Sequence, residues 1–271
     1  MDNRPIGLFD SGVGGLSAVA ALRREAPGES FVYFGDTARV PYGDREPAEI
    51  CAFARQDARF LRTQNVKALI IACNTITATA LPQLTADHRD LPVIGVIAPA
   101  AVAAVHASRS GKIGLIATSA TVKSGVYERA IRAIRPDAAV TAQGCPALVP
   151  LIEAGHTAPT DSLLLPPLRQ ALAPLTEAGV DTVILGCTHF PLIAGAVAAL
   201  MGPEIALVDS GAACIGTALA ALAQRDALSG LGEGQAAFYC SARPADFASV
   251  ATAFLGADIR PLTHEIDISA F

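Results

Sequence analysis

Two of the six cysteines, Cys73 and Cys187, stand immediately after short apolar runs, ALIIA and VILG, and immediately before polar residues, Asn74-Thr75 and Thr188-His189. Runs of this kind read as buried strands that open into a loop and then a helix. A thiol at such a strand end gains from the positive end of the following helix, which favours the thiolate. One cysteine in an apolar strand is ordinarily a packing residue, but two at matching strand ends point to paired work. Thiols on opposite sides of a pocket suit the removal of a proton from one face of a carbon and its return to the other. One thiol acts as base and the other as acid, and reversal exchanges the roles.

The elements that must position these thiols are legible as alternating strands and helices. Strands are expected at 6–9, 31–34, 68–72, 93–96, 113–117, 183–185 and 205–208, and helices at 16–24, 47–63, 122–134, 192–200 and 212–225. Ser162 to Ala178 is helical in pattern but holds Pro166, Pro167 and Pro174, so it is broken or starts late. Strands buried on both faces and alternating with helices indicate an α/β protein with largely parallel sheets. At 271 residues, about 1.8 times a typical domain, the chain has room for two. IGL at Ile6 recurs as IGL at Ile113, 107 residues on, and Cys187 follows Cys73 by 114. The expectation is two similar parallel-sheet α/β domains related by a pseudo-twofold and facing each other across a cleft. Their spans are 1–95 with 207–271, and 96–206.

In an open parallel sheet the ligand crevice lies beyond the carboxyl ends of the strands. Those positions read Asp10-Ser11-Gly12, Gly35-Asp36, Cys73-Asn74-Thr75, Thr118 to Thr121, and Cys187-Thr188-His189. Asp10 to Gly15, between a strand and a helix, supplies an anion site of backbone amides. It also invites a dinucleotide reading, with Asp36 as the ribose acid, but Ser17 occupies the third glycine position and Asp10 would face the phosphate. His189 either orients or protonates a thiol, holds a carboxylate, or is a satisfied core residue. The histidines at 88, 106, 156 and 264 show no partner pattern, and Tyr42 sits on a Pro-Gly turn.

Composition removes several classes. Twenty basic against 25 acidic residues give a net charge of -5, no footprint for nucleic acid. Mean hydropathy of +0.43 and 52% hydrophobic residues raise the question of a membrane. The charge-free windows 68–86, 91–108 and 182–203 are each interrupted by Asn, His, Gly or Pro, so none is a clean run of about 20 apolar residues. No secretory signal is visible, and six cysteines without a CxxC pair read as reduced thiols with no metal site. A soluble cytoplasmic protein is expected.

The same residues carry a resemblance to the glutamate racemase family of the aspartate/glutamate racemase superfamily. The matching stretches are IGLFDSGVGGLS from Ile6, YFGDTARVPYG from Tyr33, IACNT from Ile71, PVIGVIAPA from Pro92, TVKSGVY from Thr121, CPALVPLIEAG from Cys145, VILGCTHFPLI from Val183 and VDSG from Val208. The resemblance implies cofactor-independent racemisation of glutamate, supplying D-glutamate for peptidoglycan, by a homodimer that needs no nucleic acid, membrane or metal. It implies that Cys73 removes the α-proton of D-glutamate and Cys187 that of L-glutamate. Asp10 would assist Cys73, with Glu153 and His189 on the side of Cys187. Ser11, Tyr42, Gly43, Asn74, Thr75, Thr121, Thr188 and Thr118 would hold the substrate, together with Asp10 and His189. Phe190 stands where the family commonly has Tyr. An aspartate or hydantoin racemase, a nonenzymatic nucleotide- or anion-binding module, and an NAD-dependent dehydrogenase remain as other readings of the residues.

Overall fold

The computed structural model describes residues 1–43 and 45–271, and two compact units emerge from it: Met1–Val96 with Gly211–Phe271, and Ile97–Ser210. The first unit begins β1 (Ile6–Asp10), α1 (Leu16–Glu25), β2 (Phe31–Gly35), α2 (Pro47–Thr63), β3 (Ala68–Ile71), α3 (Asn74–Asp87) and β4 (Val93–Gly95). The second runs α4 (Ile97–Ala107), β5 (Lys112–Ala117), α5 (Ser119–Ser124), α6 (Val126–Ile134), β6 (Ala139–Gly144), α7 (Leu148–Glu153), α8 (Leu165–Ala178), β7 (Thr182–Gly186), α9 (Ala194–Met201) and β8 (Ala206–Asp209). The chain then returns to the first unit through α10 (Ser210–Ala223), β9 (Ala236–Cys240), α11 (Pro244–Leu255) and β10 (Thr263–Glu265).

All strand pairs are parallel, in the orders β10-β9-β2-β1-β3-β4 and β6-β5-β7-β8. The α/β class with parallel sheets is as the sequence indicates, and β2-β1-β3-β4 has the same connectivity as β6-β5-β7-β8. In each, the chain leaves the first strand to one side and returns to pair on the other. The crossovers thus diverge between β1 and β3, and between β5 and β7, where a crevice opens at the strand C-termini. The weak sequence repeat holds to the register: Phe9 pairs with Ile71, and Ile116, 107 residues beyond Phe9, pairs with Leu185, 114 beyond Ile71. The two IGL glycines share a packing role. A Cβ on Gly7 would stand 3.0 Å from Val66 Cγ1, and one on Gly114 would stand 2.7 Å from Leu175 Cδ2, so both strands admit a neighbouring side chain against their backbone.

Each unit has its own core. One gathers Phe9, Phe34, Phe60, Ile71 and Ile76, the other Ile116, Leu168, Leu172, Val183 and Phe190.

The departures from the sequence reading have local causes. The helix expected over 122–134 is two helices, because Gly125 takes the left-handed conformation (φ 61°) that ends α5 and opens α6. α8 starts at Leu165, so Pro166 and Pro167 lie in the first turn, where no amide is needed. Pro174 is accommodated inside the helix. The edge strand β6 is half-exposed throughout and lacks the apolar run that marks its neighbours. β9 and β10 extend the first sheet from the C-terminal segment, which carries no motif. No helix among the described residues is long and apolar enough to cross a membrane.

Candidate active site

In the first unit, the β1/β3 switch point gathers Asp10, Ser11 and Cys73. Asp10, the last residue of β1, is fully buried, and its Oδ1 accepts the Gly12 amide at 2.8 Å. Ser11 Oγ lies 3.6 Å from Cys73 Sγ, within hydrogen-bond reach of a sulfur. Cys73 is buried, extended (φ -79°, ψ 126°), and occupies the cap position of α3. Asn74 and Thr75 are the first two residues of that helix, so their amides belong to the first turn, which has no intrahelical acceptor. Fourteen residues of aligned peptide dipole place partial positive charge beside the Cys73 sulfur, a setting that favours a thiolate or a carboxylate.

Gly15 in the Asp10–Gly15 loop serves close packing. None of Gly12, Gly15 or Gly35 takes a positive φ, but a Cβ on Gly15 would approach Ala72 Cβ to 2.7 Å and Asp10 Cβ to 2.8 Å. Tyr33 donates its hydroxyl to the Gly12 carbonyl at 2.9 Å. Asp36 is spent as well: Oδ1 accepts from Ser241 Oγ at 2.8 Å, and Oδ2 from Arg39 Nε at 2.5 Å and from the Tyr42 hydroxyl. The acid that a dinucleotide site would turn toward a ribose is here an internal acceptor. Tyr42 is more than a turn residue, since its ring is buried in the first core against Phe53; Gly43 follows in the turn.

In the second unit, the β5/β7 switch point carries Thr118 and Cys187. Thr118 caps α5, accepting the Thr121 amide at 3.2 Å and donating its hydroxyl to Thr121 Oγ1 at 3.0 Å. Cys187 and Thr188 follow β7 and are buried. No α-helix starts at Cys187. A turn and a 3-10 segment, Phe190–Ile193, intervene before α9 begins at Ala194, so the helix-terminus argument holds for Cys73 and fails here. A different aid is present: His189 Nδ1 lies 3.9 Å from Cys187 Sγ, and His189 Nε2 lies 3.2 Å from Glu153 Oε1 at the end of α7. The ring is buried and the Glu153 carboxylate half-exposed, so one imidazole nitrogen lies near sulfur and the other near a carboxylate.

Cys145 follows β6 on the other side of β5. Burial pushes its thiol up to about 12, with the neighbouring Cys187 adding to the shift, and its Sγ donates to the Gln143 carbonyl at 3.4 Å. It is a neutral packing thiol beside the chemistry. His156, read as partnerless, faces Asp161 Oδ2 at 2.9 Å. Sequence reasoning also missed the buried polar set around Asp36, namely Arg39, Asp57 and Ser241. The only signal for it was Arg39 within GDTARVPYG. Among the described residues no group of three His, Cys, Asp or Glu side chains is arranged to hold a metal ion.

A parallel α/β unit with a cysteine at its switch-point strand end is thus present twice in this chain. The profile of the Asp/Glu/Hydantoin racemase family matches residues 16–218, and the chain belongs to that family. It is 44% identical over 215 residues to the glutamate racemase of Streptococcus equi subsp. equi, covering 79% of this chain and 80% of that one. Among solved structures it is similar to the glutamate racemase of Bacillus anthracis, with a TM-score of 0.92, 33% identity and 98% coverage of both chains. It is likewise similar to that of Francisella tularensis in complex with D-glutamate, with a TM-score of 0.91, 33% identity and full coverage of both chains.

Proposed function

We propose that this protein interconverts L- and D-glutamate by direct proton transfer at the α-carbon, with Cys73 and Cys187 as the two bases. The observation that carries the reading is the registered pair of strand-end thiols, each at the switch point of its own sheet with its own polar helper. Similarity to the glutamate racemases, one of them in complex with D-glutamate, supports the substrate.

A thiolate on one face takes the α-hydrogen with its bonding pair left on carbon. The thiol on the other face then delivers its proton to that carbon, and the chain is ready for the reverse step. The difficulty is the charge that develops on the carbanion and delocalises into the α-carboxylate. Amides already oriented at a helix start, as at Asn74 and Thr75, stabilise such charge without reorganising. Ser11, Tyr42, Gly43, Thr118, Thr121 and Thr188 complete the substrate contacts, Asp10 assists Cys73, and His189 with Glu153 assists Cys187. The chemistry runs without pyridoxal phosphate, in the cytoplasm and in a homodimer, and its D-glutamate feeds peptidoglycan synthesis.

The deciding measurements are circular dichroism for racemisation and proton NMR for α-hydrogen exchange of D- and L-glutamate with purified protein in deuterated buffer, wild type beside Cys73→Ser and Cys187→Ser. Wild type racemises both enantiomers without added cofactor, and each variant loses roughly 100-fold or more. Cys187→Ser keeps slow α-hydrogen exchange only with D-glutamate, and Cys73→Ser only with L-glutamate. Racemisation by Cys73→Ser at the wild-type rate would overturn the two-thiol reading. Faster turnover of aspartate or a 5-substituted hydantoin would overturn the substrate.

A further inference from the structure

The segment between β2 and α2 carries Tyr42 and Gly43, and it is held by side chains that no substrate contact explains. Arg39 is the hub. Its Nε donates to Asp36 Oδ2 at 2.5 Å, one terminal nitrogen donates to Gln56 Oε1 at 2.5 Å, and the other donates to Asp57 Oδ1 at 2.9 Å. Its guanidinium carbon stands 4.1 Å above the centre of the Phe53 ring, and its carbonyl accepts from Arg45 Nε at 3.0 Å. The guanidinium is mostly buried, and both carboxylates it meets are wholly so.

A second anchor comes from the C-terminal segment. Ser241 Oγ donates to Asp36 Oδ1 at 2.8 Å and accepts the Ala38 amide at 2.8 Å. Thr37 Oγ1 donates to the Ala242 carbonyl at 2.5 Å and accepts the Ala242 amide at 3.0 Å. β9 pairs with β2 through Gly35 and Cys240, so these bonds continue the sheet edge into the loop.

We propose that Arg39 is the positioning residue for the Tyr42–Gly43 segment, with Ser241 as its second anchor, so that segment and substrate meet in a preset geometry. The proposal rests on the reading above in which Tyr42 and Gly43 contact glutamate. The Tyr42 hydroxyl points inward to Asp36, which ties the ring to the same carboxylate that Arg39 and Ser241 hold. Three donors from two parts of the chain converge on the two oxygens of one buried carboxylate, and a fork of fixed geometry is the side chain that can span two carboxylates and an amide at once. Burial, reinforced by Asp36, pushes the Asp57 carboxyl well above the usual carboxylate range, while Arg39 donates to both carboxylates.

The test is steady-state racemisation in both directions for Arg39→Met, Arg39→Lys and Ser241→Ala in the full chain, with thermal unfolding of each. A displaced substrate-holding segment raises KM for both enantiomers with kcat little changed. The expected rise is roughly 10- to 100-fold for Arg39→Met, less for Arg39→Lys, which keeps charge but loses the fork, and a few-fold for Ser241→Ala. A merely structural role lowers the melting temperature and the active fraction, so apparent kcat falls while KM stays constant. KM within twofold of wild type in Arg39→Lys and Ser241→Ala overturns the proposal even if Arg39→Met fails to fold. An inactive wild type would instead sink the racemase reading itself.

Discussion

Nδ1 of His189 faces the sulfur of Cys187 at 3.9 Å, two residues along the chain and without an intervening α-helix. Beside Cys187 therefore stands an imidazole that in turn lies 3.2 Å from Glu153, whereas beside Cys73 stand a helix start and Ser11. The two proposed bases are unequal in kind although their strands are equivalent.

Replacing His189 by Ala is expected to lower turnover about 100-fold, the lower range for a positioned proton-transfer group. Enantiomers have equal free energy in water, so kcat/KM must fall by the same factor in both directions. The inequality should show in the α-deuterium isotope effect, which is expected to rise more with L-glutamate, whose proton Cys187 takes in the proposed mechanism. Equal isotope effects for the two enantiomers would refute the assignment of His189 to Cys187.

Lys67 and Glu29 form an ion pair at 2.6 Å with both side chains almost fully buried, and Lys67 also donates to the Asp2 carbonyl at 2.6 Å. Glu29 accepts the Ser229 amide at 2.7 Å, so the pair ties the start of β3 to the N-terminus and to the C-terminal segment. Lys67→Met should cost about 3–5 kcal/mol in urea unfolding, because it leaves a buried carboxylate without its counter-charge. The double variant Lys67→Met/Glu29→Gln should recover part of that loss; a double variant as unstable as the sum of its singles would argue against the pairing.

Asp181 precedes β7 and receives Ser108 Oγ at 2.6 Å, the Ser110 amide at 2.6 Å and Thr182 Oγ1 at 3.1 Å. Burial raises its carboxyl, but these hydrogen bonds outweigh burial and hold it well below the usual carboxylate range. A carboxyl depressed in the folded state stabilises above its unfolded pKa and loses that contribution as pH falls through the folded one. Asp181→Asn should therefore melt below wild type at neutral pH, with the gap closing as the pH drops below about 4. A gap that persists unchanged into acid would show that the charge is not what stabilises this turn.

Cys145 and Cys240 should resist alkylation. Burial pushes Cys145 up to about 12 and Cys240 up to about 11, the latter with help from the Glu265 charge, so little thiolate exists at about pH 8. Mass-spectrometric mapping after brief iodoacetamide treatment of native protein should find both unmodified, while unfolded protein is modified at all six cysteines. Rapid native labelling of Cys145 would contradict its role as a packing thiol.

Much of the fold is legible because buried parallel strands leave continuous apolar runs: β1, β2, β3, β5 and β7 each stand within a residue or so of the expected bounds. β6 and β10 are not legible, since both are edge strands, the first partly exposed throughout and the second only three residues long; β9, an interior strand of five residues, is not legible because it lies in the C-terminal segment that carries no motif. Cys73, Cys187, Asp10 and Ser11 were visible as strand-end residues. Arg39, Asp57 and Ser241 were not, because their partners lie up to 205 residues apart in the chain.

By itself, then, the sequence determined the α/β class, the two strand-end thiols and the repeat that pairs them, because local periodicity and strand endings depend on neighbouring residues. Only the tertiary structure decided what surrounds each thiol. It put Cys73 at the start of α3, set His189 and Glu153 beside Cys187, and turned Asp36 inward to Tyr42, Arg39 and Ser241. Those outcomes depend on which distant backbone and side-chain groups the packed strands bring within about 3 Å, the range over which a hydrogen bond acts.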